Sequence, residues 1–123
     1  MSAAVNEAYN TLRDPFLRAE HLLAMEGGPT AAEQKQVPPA FLAEMLDARE
    51  ELERAKGHAA ETARLADAFA AHYDGLMAEV AGLFDQLGRE APGEGRANLL
   101  GRVRGLLNAA KYVRGLIRDL ESE

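Results

Sequence analysis

The sequence predicts an all-α protein: an antiparallel three-helix bundle preceded by a short helix-turn-helix. Three observations carry this. β-branched residues are few beside Ala, Leu, Glu and Arg, a balance that favours helix over strand. Apolar residues recur by threes and fours through three long segments. Glycine and proline fall between these segments as punctuation.

The first element spans about Ser2 to Arg13, with Val5, Ala8, Tyr9 and Leu12 at helical spacing. Asp14 is placed to cap a second helix and Pro15 to open it, since proline lacks only an N–H that would be orphaned in a first turn. That helix runs to about Glu26, with Phe16, Ala19, Leu22 and Leu23 on one side. Gly27-Gly28 followed by Pro29 ends it, and 27–37 reads as a polar linker. The chain thus divides into 1–26, the linker 27–37, and a bundle over 38–123.

The bundle opens with a helix from about Pro39 to Lys56, its core stripe Phe41, Met45, Ala48, Leu52 and Ala55. After Gly57 a longer helix spans about Ala59 to Leu87, with Leu65, Phe69, Leu76, Val80, Leu83 and Leu87 in its stripe. Tyr73, Met77 and Phe84 widen that stripe. "GREAPGEG" at 88–95 is a loop, and the last helix, about Arg96 to Leu120, carries Leu99, Val103, Leu106, Ala110, Val113, Ile117 and Leu120. Three amphipathic helices with short connections pack as an antiparallel bundle.

Composition excludes several functions. A formal net charge of -6 argues against nucleic-acid binding, which needs a basic footprint. The absence of cysteine removes disulfides, thiolate metal sites and cysteine nucleophiles. No apolar run approaches the ~20 residues of a membrane span, and "MSAAVNEAYN" has neither the basic nor the apolar region of a secretory signal. A cytoplasmic location is the expectation.

Enzyme chemistry is equally sparse. His21, His58 and His72 belong to no metal motif. His58 and Glu61 share a helical spacing, but a metal would need further ligands. His72, beside the core stripe, reads as a packing residue. The Gly-rich stretches lack the strand-to-helix context and Lys-Ser/Thr of a phosphate loop. The chain has no core Glu-x-x-His pair of the kind that di-metal bundles use. No catalytic residue, metal ligand or cofactor is therefore assigned.

What stands out is apolar surface beside the core stripe. Leu42 and Leu46 are four apart and off the Phe41–Met45–Leu52 line, amid Glu44, Asp47, Glu50 and, a turn on, Arg54. Tyr112 falls between the core positions Ala110 and Val113, beside Lys111. Apolar anchors with a charged rim are the composition of a protein interface. Periodicity alone also allows a wider core stripe and a half-buried tyrosine.

Three blocks resemble the HscB family of J-type co-chaperones of iron–sulfur cluster assembly. In "SAAVNEAYNTLRDPFLRAEHLL" the matches are Asn6, Ala8, Tyr9, Thr11, Leu12, Arg13, Pro15, Arg18, Ala19, Leu22 and Leu23, followed by Gly27; His21 replaces the usual tyrosine. "PAFLAEMLDAREELERA" is similar to the segment that opens the family's C-terminal bundle, and "AKYVRGLI" to its C-terminal block. The resemblance implies a bundle that binds an IscU-type iron–sulfur scaffold protein. It also implies a J domain that presents the scaffold to an HscA-type chaperone ATPase. The scaffold-binding face implied comprises Leu42, Ala43, Leu46, Asp47, Glu50, Arg54 and Tyr112. Ala43 stands where the family often has a larger apolar residue, and Arg54 where an acid is common.

A working J domain carries His-Pro-Asp between its second and third helices. Here His21 is followed by Leu22, His58 by Ala59 and His72 by Tyr73. The residues before "TLRDP" are too few for two more helices at ~1.5 Å per residue. The expectation is a non-enzymatic adaptor: residues 1–26 as the end of a J domain, then the scaffold-binding bundle, unable by itself to stimulate the ATPase. A structural or self-associating helical protein using the same apolar face is the competing expectation.

Overall fold

In a computed structural model, residues 13–121 are described and form four helices with no strand among them. These are α1 (Pro15–Met25), α2 (Pro39–Ala55), α3 (Ala59–Leu87) and α4 (Glu94–Glu121). The helix expected over about 2–13 lies outside the described residues except for its last position.

The ends of α1 follow from local chemistry. The Asp14 carboxylate accepts from the Phe16 N–H at 2.9 Å and the Leu17 N–H at 3.4 Å, and Pro15 fills the first turn. At the other end Gly27 takes φ +78°, and the Gly28 N–H reaches back to the Leu23 carbonyl at 2.9 Å. Gly28 lies so close to Leu23 that a Cβ there would meet its Cδ1 at 2.3 Å.

The connection from α1 to α2 is tied down. Thr30 and Glu33 cap one another reciprocally, through Glu33 N–H to Thr30 Oγ1 (3.1 Å) and Thr30 N–H to Glu33 Oε1 (3.0 Å). These bonds hold the Glu33 carboxyl below its ordinary pKa. Gln34 donates to the Gly101 carbonyl, and Asn108 donates to the carbonyls of Gln34 and Gln36.

α3 and α4, joined by a short loop, are the antiparallel spine, and α4 meets all three other helices. α2 lies across the pair through Phe41, Met45, Ala48, Leu52 and Ala55, as its stripe predicts. α1 inserts Phe16, Ala19 and Leu23 into the same core, whereas Leu22 faces outward. α1 runs antiparallel to α4, because its acids pair with arginines of falling number: Asp14 with Arg114, Glu20 with Arg104, Glu26 with Arg96. α4 therefore buries far more than one stripe: Leu100, Leu107 and Leu116 join the expected core, while Ile117 is only partly covered.

Arg104 is 3% exposed. Its guanidinium binds both Glu20 oxygens, one at 2.9 Å, and donates to Asn108 Oδ1 at 3.1 Å. Each of the three guanidinium nitrogens thus donates to an acceptor, as a buried charge requires.

Candidate docking face

Five buried residues of α2, spaced four, three, four and three, point one side of the helix at the core. The 3.6-residue period then turns Leu42 and Leu46 away from it, and they are 61% and 70% exposed. They do not widen the core. Tyr112, from α4, is 42% exposed, with its covered edge against α2.

Two contacts hold Tyr112 to α2. The Phe41 ring meets it edge to face, centroids 6.0 Å apart and planes at 88°. The Arg49 guanidinium lies 5.8 Å from its ring centroid and makes a 3.0 Å ion pair with Asp119, two helical turns beyond Tyr112 on α4. Hydrogen bonding to Tyr112, and then to Asp119, raises the Arg49 pKa above its ordinary value. On the opposite side of α2, Phe41 also touches the ring of His72 edge-on at 5.8 Å, and His72 Nε2 is 3.9 Å from Glu44. His72 is thus a half-covered packing residue, as expected from its place beside the stripe.

These contacts orient α2. Arg49 marks the side towards α4, and Glu44 the side towards α3. Taking each residue at about 100° of turn, the outer surface of α2 reads, from α4 to α3, Leu42, Glu53, Leu46, Glu50, Ala43, Arg54, Asp47. All seven are exposed, and Glu53, about three turns along the axis from Leu42, is paired with Lys56. The two leucines therefore border Tyr112, and the carboxylates of Glu50 and Asp47 lie beyond them. Arg54 is on the same side but ~18 Å along the axis from Leu42. It lines a separate cleft with His58, Glu61 and Arg64 at the α2–α3 turn. Arg49, which builds the tyrosine's setting, escapes a reading that looks for apolar residues. Its position seven after Leu42, on the same helical side, is the signal that marks it.

No group of three or more His, Asp or Glu that could hold a metal occurs among the described residues. Glu61 pairs with Arg64, which holds its carboxyl below the ordinary value, and His58 Nδ1 lies 3.1 Å from the Lys56 carbonyl. No helix of the described residues is long and apolar enough to cross a membrane.

Residues 37–121 match the sequence model of the family described as the HSCB C-terminal oligomerisation domain. The chain is also similar to proteins named "Co-chaperone protein HscB homolog" from two Vibrio cholerae serotype O1 strains, one Ogawa and one El Tor Inaba. In each case 49% of 53 residues are identical, covering 42% of this chain and 31% of the relative. The match thus spans about a third of those relatives' length. No solved structure matches the chain.

Proposed function

The chain belongs to the family of the HSCB C-terminal oligomerisation domain, and from that premise we propose that it is a non-enzymatic docking module of an iron–sulfur co-chaperone. In this reading it acts in the cytoplasm and holds an IscU-type scaffold protein for delivery to an HscA-type chaperone ATPase. Residues 1–26 serve as the end of a J domain and 38–123 as the scaffold-binding bundle.

The observation that carries the reading is one contiguous face. Leu42 and Leu46 stand out from α2 beside Tyr112, which Phe41 and Arg49 brace from below. A braced, exposed aromatic ring is a pre-organised anchor that loses little conformational freedom on binding, and the two leucines add apolar area beside it. Asp47 and Glu50 form the acidic rim, Ala43 keeps the surface between them low, and Arg54 sits at its far end.

Titration of the chain with an IscU-type scaffold tests this. Leu42→Ala/Leu46→Ala should weaken binding by more than ~1 kcal/mol per anchor while leaving the thermal melt in place, since neither side chain is in the core. Unchanged affinity in a folded double variant would remove the assignment of this face. A second reading, self-association through the same face, is favoured by the word "oligomerisation" in the family description. Sedimentation separates the two, because a stable dimer burying Leu42 and Tyr112 leaves no face for a scaffold.

A further inference from the structure

α4 has a second exposed feature next to Tyr112. Lys111, Gly115 and Arg118 run along its outer side, with Tyr112 and Asp119 at one edge, and line a cleft of about 460 Å³. Lys111 and Arg118 also border a second cleft, on the α1 side, beside Phe16 and Tyr73. Gly115 leaves the strip open: a Cβ there would come within 4 Å only of the Arg118 guanidinium.

Arg96, Arg104 and Arg114 of the same helix are each committed to an acid at or beside α1, and Arg49 to Asp119. Among the described residues Lys111 and Arg118 have no ion-pair partner. Two free cations beside an apolar patch are unexpected in a chain of net charge -6.

Their position gives the face a direction. Crossing from α4 to α3 at the level of Tyr112, the surface passes from Lys111 and Arg118, through Tyr112, Leu42 and Leu46, to Glu50 and Asp47. Glu53, paired with Lys56, and Arg54 lie at the far end of α2 beside the α2–α3 turn. Arg49 and Asp119 lie at the middle and neutralise each other. We propose that Lys111 and Arg118 receive carboxylates of the docked protein. The partner surface that fits is then an apolar hollow with basic groups on one side and acidic groups on the other. A bipolar rim admits one orientation, because a partner turned by half a circle would set like charges against each other at both edges. The inference rests on the docking function proposed above and adds the acidic half of the partner and its orientation.

Stopped-flow association of the whole chain with an IscU-type scaffold tests it, comparing wild type with Lys111→Glu/Arg118→Glu and Lys111→Gln/Arg118→Gln. Rim charges act chiefly on encounter, so the reversal should slow association about tenfold at low salt with little change in dissociation. The Gln pair should fall between. The differences should vanish near ~1 M salt, where the Debye length is ~3 Å. Equal rates and salt slopes for wild type and reversal would overturn the inference while leaving the docking function standing. If thermal melts show the reversal unfolded, the Gln pair decides by the same criterion. Failure of the wild type to bind the scaffold at all would overturn both. A wild-type dimer in sedimentation that the reversal dissociates would assign the rim to a second copy of the chain and overturn the partner.

Discussion

Arg104 is the residue whose neighbours matter most to its cost. A guanidinium buried under α1 is tolerable because Glu20 grips it with both oxygens and Asn108 takes its Nε. Removing one member of a buried pair leaves an uncompensated charge, so Glu20→Ala should lose about 3 kcal/mol in urea denaturation. Replacing both members by apolar residues, Glu20→Leu/Arg104→Met, should cost clearly less than the single change. The same comparison shows where sequence reading stops. An arginine between Val103 and Gly105 looks like an exposed face of an amphipathic helix. Nothing in its own neighbourhood signals that an acid 84 positions earlier will cover it. Leu42 and Leu46 were legible for the opposite reason, since a five-residue stripe on their own helix decides which way they point.

At the scale of elements, helix limits were legible wherever a local stop exists. Asp14-Pro15 starts α1, Gly57 separates α2 from α3, and the predicted span Ala59 to Leu87 is the span observed. The last helix starts at Glu94, two residues before Arg96, because a glutamate in the first turn suits the helix dipole and the preceding Gly93 takes φ +148°. The breadth of the α4 core and the outward turn of Leu22 depend on how α1 lies across α4, which no helical period encodes. Asp14 does double duty there, capping α1 and pairing with Arg114, whose guanidinium stacks 4.8 Å from the Phe16 ring. Asp14→Ala should therefore lower stability by about 1 kcal/mol or more. Amide hydrogen exchange should speed up first in the opening turn of α1, while the α3–α4 amides keep their protection apart from the global loss.

For the molecule as a whole, α1, α3 and α4 meet at a junction where Tyr73 lines a cleft with Asp14, Phe16 and Arg114. Burial raises the Tyr73 pKa, with nearby Asp14 and Asp74 adding to the shift and Arg114 opposing it. Folding thus favours the neutral phenol. That contribution is complete below the unfolded tyrosine value of about 10 and is lost as pH rises through the folded one. Thermal melts should show wild type losing stability above about pH 10 more steeply than Tyr73→Phe, and equal slopes would show the phenol to be uninvolved. The way α1 covers α4 also bears on how the chain can be cut. The family match begins at residue 37, which invites trimming the protein there for expression or labelling. Such a fragment would strip α1 from the side of α4 that holds Leu100, Arg104 and Leu107, trading a sealed surface for a greasy strip around a bare charge. The workable boundary for dissection is set by packing and lies ahead of Asp14, not where sequence similarity starts.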